Sequence, residues 1–173
     1  GLLWLHLDSK TPEARAWLEN NSGVSALTAA SLLEQETRPR HVLSDEGLVL
    51  ILRGVNCNPG ADPEDMVAIR MLIGEKKIIS TRYRRVMAIQ DIQQAIDKGG
   101  GPCNAGEFLV MAAERIADRL GDVVSELDDR ADELENNVLT GQSHEMRTQL
   151  ADLRRTSISL RRYIAPQRDV LAR

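Results

Sequence analysis

Aromatic residues, cysteines and long apolar runs are all scarce in this chain of 173 residues. Phe, Trp and Tyr make up 3% of the sequence, so the core has to be built mainly from Leu, Ile, Val, Met and Ala. The longest apolar runs, such as 48–52, cover only a few residues, whereas a membrane-crossing helix needs about 20. We therefore expect no transmembrane segment, and no secretory signal is visible.

The cysteine and charge patterns exclude further classes of protein. Cys57 and Cys103 lack CxxC spacing, and we expect both to be reduced thiols in a cytosolic compartment. The net charge of −4 argues against a nucleic-acid partner, because counterion release requires clustered Lys and Arg. Apolar residues at 42% and charged residues at 28% are typical of a soluble globular protein with one core.

No known catalytic or cofactor-binding motif is present. The glycines at 99–101 lie between helical segments rather than after a strand, so they do not form a phosphate-binding loop. The chain also lacks a nucleophile elbow and an HExxH motif. We therefore predict no catalytic residues and no bound cofactor, and we rank an enzyme last among the possible functions.

The histidines do not predict a metal site. A structural zinc site usually takes four Cys or His ligands in closely spaced pairs, and His6, His41 and His144 are dispersed along the sequence. His6, in an apolar strand pattern, is expected to be structural. His144, at the start of the last helix, is expected to be exposed and to act in capping. The metal-site residues are left unassigned.

One acidic run is the best candidate for binding divalent cations. Hard cations take carboxylate oxygens as ligands. A solvated helix face produces the same pattern, so both interpretations stay open. The run consists of Glu126, Asp128, Asp129, Asp132, Glu133 and Glu135.

The first hundred residues alternate between strand and helix patterns. We predict strands at 3–7, 41–43, 47–55, 65–73 and 77–83, and helices at about 11–20, 25–35 and 87–98. Thr11 and Pro12 supply the cap and the first-turn proline of the first helix. This order predicts a mostly antiparallel or mixed sheet with helices packed on it, which is an α+β arrangement.

Two long amphipathic helices are predicted after this part, separated by a short break at 140–142. Apolar residues recur in alternating steps of three and four, which predicts a heptad seam between antiparallel arms. At ~1.5 Å per residue the first arm, 106–139, would span about 51 Å and project beyond the sheet. We therefore divide the chain into a sheet-and-helix part, 1–103, and a long helix pair leading to a truncated stalk, 104–173. Both parts belong to one compact domain. The seam of the second arm is Met146, Leu150, Leu153, Ser157, Leu160 and Ile164.

Charge divides between the arms. Residues 106–139 carry 10 acidic and 3 basic side chains, net −7, and residues 143–173 carry 7 basic and 3 acidic, net +4. Complementary pairing of the arms is the simple explanation.

Pro166 predicts either a kink or a helix end near Ala165. The helical spacing of apolar residues in the second arm continues to the last residues without a capping signal. Because helices usually end at such a signal, we expect the chain to be a piece of a longer protein.

Five segments carry a family resemblance. They are 4–8 (WLHLD), 37–40 (TRPR), 80–86 (STRYRRV), 134–139 (LENNVL) and 161–173 (RRYIAPQRDVLAR). Together and in this order they resemble the CorA-type metal transporters, specifically the ZntB branch. The resemblance covers essentially the whole chain.

The resemblance implies the cytoplasmic domain of a homopentameric inner-membrane transporter. It implies an α/β/α sandwich with a long helix pair, and a stalk helix that continues into the first membrane helix and couples subunit arrangement to the pore. The implied cargo is zinc or another divalent cation such as magnesium or cobalt, as a transported or regulatory ion. The alternative from the residues alone is a soluble scaffold whose helical hairpin binds a partner.

Overall fold

The computed structural model describes residues 1–138 and 143–172, with side chains outside 137–145. Every predicted element is present with bounds close to those expected, and the predicted break at 140–142 lies outside the described residues. The strands are β1 Leu3–Asp8, β2 Arg40–Ser44, β3 Gly47–Gly54, β4 Val67–Ile73 and β5 Lys77–Arg82. The helices are α1 Pro12–Asn20, α2 Ala26–Leu33, α3 Met87–Asp97, α4 Ala105–Val138 and α5 Ser143–Leu171.

The five strands form one sheet in the order β1-β5-β4-β3-β2. β1 runs parallel to β5, and the other three pairings are antiparallel. The prediction of a mixed, largely antiparallel sheet is therefore confirmed. Because β1 and β2 are the two edge strands, residues on them lie at opposite sides of the sheet.

Helices cover both faces of the sheet, as in an α/β/α sandwich. The alternation of side chains along a strand sends successive residues to opposite faces. One face packs on α1 and α2 through Leu18, Ala29, Leu32, Val49, Leu72 and Ile79. The other packs on α3 and α4 through Leu50, Ile69, Met71, Ile78, Ile89, Ile92, Phe108, Ala112 and Ile116. The predicted fold class is confirmed.

Local capping explains where α1 and α2 begin. The Thr11 hydroxyl accepts a hydrogen bond from the amide of Ala14 at 3.3 Å, and Pro12 occupies the first turn. Ser25 caps α2 in the same way, through the amide of Thr28 at 3.3 Å. The predicted start of α1 is therefore confirmed.

The long helices leave the sheet part-way along their length. The buried residues of α4, Phe108, Ala112 and Ile116, all lie in its first part. The next turns of α4 contact α5 instead, in a cluster that includes Leu120 and Leu160. The 34 residues of α4 span about 51 Å at ~1.5 Å per residue, so its far end extends past the sheet.

The seam predicted for α5 is partly wrong. Leu150 is 58% exposed and Ser157 is exposed, whereas the apolar contact with α4 is made further along α5, at Leu160 and Ile164. The buried positions are Thr156, Leu160 and Gln167. The helix continues through Pro166, so the predicted helix end near Ala165 is also wrong.

Candidate coupling interface between the sheet and the long helices

A single side chain joins α5 to the edge of the sheet. β2 pairs with β3 only as far as Arg40 opposite Ile51, so the edge of β3 is uncovered beyond that point. Gln167 fills this position. Its Oε1 accepts a hydrogen bond from the Arg53 amide at 2.6 Å, and its Nε2 donates to the Arg53 carbonyl at 3.1 Å. The side-chain amide therefore makes the two hydrogen bonds that a further residue of β2 would have made.

The side chain of Arg53 ties three segments together. Its Nη1 donates to the carbonyl of Met66 at 2.7 Å, and its Nη2 donates to the carbonyl of Thr37 at 2.6 Å. The guanidinium carbon lies 4.3 Å from the centre of the Tyr163 ring on α5. These contacts connect β3 to the segments before β2 and β4 and to α5.

Arg53 is a buried cation that makes no ion pair among the described side chains. The residue is 8% exposed, and its Nε has no hydrogen-bond partner within the described part of the chain. Burial lowers the pKa of Arg53, whereas Tyr163 and Glu36 act to raise it. Backbone carbonyls and the face of an aromatic ring thus replace a carboxylate as the partners of this charge.

Arg70 holds the neighbouring segment in a similar way. It is 2% exposed, and it donates from Nε to the carbonyl of Glu34 at 2.6 Å and from Nη2 to that of Gln35 at 2.9 Å. Its guanidinium lies over the ring of Tyr83, 5.0 Å from the centre. Burial lowers the pKa of Arg70 to about 10, so the side chain stays protonated at neutral pH. Two buried arginines therefore fix the segment that links α2 to β2.

The loop between β3 and β4 wraps against α5. The hydroxyl of Thr156 donates to the Glu64 carboxylate at 3.0 Å. A polar cavity of about 310 Å³ lies beside this contact, lined by acidic residues of the loop and by Arg155 and Arg162 of α5. At its rim Asp65 pairs with Arg84, which lowers the pKa of the Asp65 carboxyl. This arrangement holds α5 to the sheet at a second point.

The histidines that were considered as metal ligands form no common site among the described side chains, as expected for residues dispersed along the sequence. His6 lies on β1 and His41 on β2, at opposite edges of the sheet, and the side chain of His144 lies outside those described. The His6 Nδ1 lies 2.8 Å from the Ser80 hydroxyl, which is a part-buried contact between the neighbouring strands β1 and β5. Cys57 and Cys103 are free and exposed.

The acidic run of α4 forms no recognisable cation site. All six of its side chains are exposed. Within residues 1–138 and 143–172, no group of three or more His, Cys, Asp or Glu side chains is placed to hold a metal ion. The metal-site residues therefore stay unassigned.

The opposite charges of the two arms do not pair directly. Over the part of the chain that the structure describes, the ion pairs of α4 and α5 run within a helix or, for Arg119 and Asp91, between α4 and α3. The contact between α4 and α5 is apolar, through Val123, Leu127 and Leu160. The simple explanation of the charge division is therefore not supported by direct contacts.

The contact between Arg53 and Gln167 could hardly be predicted from the sequence. Gln167 and Arg53 are separated by 114 positions, and a lone arginine at the end of an apolar strand predicts no partner. The available signal was that Gln167 follows Leu160 and Ile164 in steps of four and three. A polar side chain at an apolar seam position indicates a buried hydrogen-bond partner.

None of the described helices combines the length and the apolar character that a membrane span requires.

Comparison with known proteins identifies relatives along the entire chain. The protein-family model described as "CorA-like Mg2+ transporter protein" matches residues 1–173. The divalent cation transporter CmaX of Pseudomonas aeruginosa is 42% identical over 174 residues, which cover 97% of this chain and 51% of CmaX. The zinc transport protein ZntB of Yersinia enterocolitica is 38% identical over 170 residues, covering 98% of this chain and 52% of ZntB. The chain thus spans about half the length of these curated relatives.

A solved structure has the same fold. The ZntB cytoplasmic domain from Vibrio parahaemolyticus matches with a TM-score of 0.85 and 32% identity, over 98% of this chain and 67% of that domain. The order of layers and the long helices described above are therefore those of a known type of cytoplasmic domain.

Proposed function

The chain belongs to the CorA-like family of Mg²⁺ transporter proteins, and from this premise we propose that it is the cytoplasmic part of a divalent-cation transporter whose cargo is zinc. The observation that carries the proposal is the match of the whole chain to the family, together with 38% identity to a zinc transport protein. The cation is proposed as the transported ion or as a regulatory ion, and not as a cofactor of this domain. No catalytic role is proposed.

A magnesium or cobalt channel of the same family is the second candidate. The family description names Mg²⁺, and the relative CmaX is described only as a divalent cation transporter. The scaffold hypothesis has lost its support, because the relatives that cover nearly all of this chain are named as transporters.

We propose that the domain couples subunit arrangement to the pore through α5. The Gln167 amide and the Tyr163 ring attach one end of α5 to β3, and the contact of Thr156 with Glu64 attaches its middle. A helix held at several points moves with the sheet as one body. A change in the packing of neighbouring domains would therefore displace α5, which serves as the stalk towards the membrane part.

We further propose that the full-length protein is a homopentamer in the inner membrane, with this domain on the cytoplasmic side. Within the domain, residues 1–103 would form the body and residues 104–173 the arm that transmits movement. The layout supports this division, since the buried core of the sandwich includes only the first turns of α4.

Transport by the full-length protein in liposomes tests the proposed cargo. We expect zinc to accumulate inside vesicles faster than magnesium or cobalt, measured with an indicator specific for each ion. Vesicles without protein provide the baseline. Magnesium flux without zinc flux would establish the second candidate, and flux of none of the three would overturn the transporter proposal.

The coupling proposal needs a variant that leaves the membrane part untouched. Gln167→Leu removes the link between α5 and β3, whereas Gln149→Leu makes the same chemical change at an exposed position of the same helix. We expect the zinc flux of Gln167→Leu to fall while the amount of assembled protein in the membrane stays unchanged. Equal flux in the two variants would show that this link plays no part in transport.

A further inference from the structure

One flank of α5 presents arginines with exposed aliphatic side chains between them. Arg154 and Arg161 are exposed, and Leu150 and Ile158 are each 58% exposed. Steps of three and four residues place these positions on one side of the helix. Leu150, Arg154 and Ile158 also line an open groove of about 770 Å³. In the described part of the chain, neither Arg154 nor Arg161 makes an ion pair. We call this flank the arginine stripe.

The outer side of α4 carries the opposite charge. Asp118, Asp122, Ser125 and Asp129 are exposed and recur in steps of three and four. At about 100° per residue they lie opposite the side of α4 that contacts α5 through Leu127 and its apolar neighbours. We call this side the acidic stripe.

The two stripes cannot neutralise each other within one chain. The apolar contact between α4 and α5 occupies the inner faces, and the acidic stripe lies on the far side of α4. Arg154 and Ile158 lie away from this contact, whereas Arg161 lies at its edge, beside Asp128 of α4, which is not part of the acidic stripe. Each copy therefore offers a basic and an acidic surface at different places. Such surfaces pair between copies in a heterologous manner, and a heterologous contact that repeats around an axis closes into a ring.

We propose that the arginine stripe of one copy docks on the acidic stripe of the next copy in a ring of identical chains. This inference rests on the self-association proposed above and names the surfaces that carry it. Opposite charges align the helices, and burial of Leu150 and Ile158 between them removes two large aliphatic side chains from water.

Cross-linking of two differently tagged copies tests this contact in the full-length protein. One copy carries Ser125→Cys on α4 and the other Ile158→Cys on α5, with Cys57, Cys103 and any other cysteine replaced by serine. Each copy has one thiol, so every cross-link made by a short bis-maleimide in membranes joins two chains. We expect a product when the two copies are co-expressed and none when either is expressed alone.

Charge exchange provides the second arm of the test. Arg154→Glu with Arg161→Glu in the copy that carries Ile158→Cys should lower the cross-link yield at least about ten-fold. Adding Asp122→Lys with Asp129→Lys to the other copy should restore it. Arg38→Glu with Arg85→Glu, at exposed positions outside both stripes, is the charge-matched control and should leave the yield unchanged.

The outcomes separate this inference from the proposed function. If the two tagged copies do not copurify, the proposed self-association fails. If they copurify without a cross-link, or if either copy cross-links to itself, the assembly uses other surfaces and the pairing of the stripes is wrong. If the arginine-to-glutamate changes lower the cross-link yield and the aspartate-to-lysine changes do not restore it, the proposed pairing of the stripes is also overturned.

Discussion

Replacing Gln167 by leucine tests the strongest link between α5 and the sheet. The variant keeps the size of the side chain and a high helix propensity, so the helix itself should persist. It removes both hydrogen bonds to the backbone of Arg53, whose amide and carbonyl then have no partner at the uncovered edge of β3. Gln167 is 5% exposed, so water does not readily replace the lost amide.

The expected cost follows from these two backbone groups. Leaving a buried donor or acceptor unsatisfied costs about 1–3 kcal/mol, and leucine recovers part of this by burying more apolar surface. We therefore expect the free energy of unfolding to fall by about 2–4 kcal/mol. At roughly 2–4 °C per kcal/mol for a chain of this size, the melting temperature should drop by about 4–16 °C.

Urea unfolding followed by circular dichroism measures the change, with Gln149→Leu as the matched control. Hydrogen exchange at the Arg53 amide provides a local readout, since this proton loses its acceptor in the variant. We expect faster exchange there and little change in the centre of β4. If Gln167→Leu and Gln149→Leu unfold within about 0.5 kcal/mol of each other, the amide does not stabilise the interface as argued.

Substitutions at four further positions test other contacts of the fold. Burial holds the pKa of His6 at about 4, below its usual 6.5, so the unfolded chain binds more protons between these values. Stability should therefore be full above pH 6.5 and fall by up to about 3 kcal/mol towards pH 4, and thermal melts of His6→Gln should show a flatter pH profile. An unchanged profile would contradict this. Tyr163→Leu should cost about 1–2 kcal/mol in urea melts by removing the ring from Arg53, whereas Tyr163→Phe keeps the ring face and should cost less than leucine. Gly47→Ala should lower stability by about 2 kcal/mol or more, since the φ of +132° suits glycine and a Cβ would collide with the neighbouring strand. Gly121→Ala, in open space on a helix, should raise stability by about 0.5–1 kcal/mol. Urea unfolding measures both glycine variants, and a loss of stability at both would argue against a local cause.

Local signals explain why the elements could be predicted. Thr11 and Pro12 mark the start of α1 because the capping hydroxyl and the proline act within one turn of the chain. The nearly continuous apolar runs of β3 and β4 follow from burial on both faces of the sheet. The resemblance carried by short ordered segments identified the family that the whole-chain match confirms.

Position relative to the sheet explains where the sequence reasoning failed. Leu150 fits the apolar seam as well as Leu160 does, yet one is 58% exposed and the other 3%. Nothing in the heptad pattern says how far the sheet extends beneath the helix. The same limit applies to Pro166, since the contacts of Gln167 with β3 and of Leu160 and Ile164 with α4 hold the flanking residues in a helix although the proline removes one backbone hydrogen bond.

The sequence by itself determined the secondary structure, the layered fold class and the family, because each depends on periodicity, capping or short motifs along the chain. Only the tertiary structure decided which polar groups meet. Arg53 and Gln167 are far apart in the sequence, and their contact exists because β2 ends early and α5 crosses the uncovered edge of β3. It also decided that Asp122 and Asp129 of α4 and Arg154 of α5 are exposed and lie away from the apolar contact between the two helices.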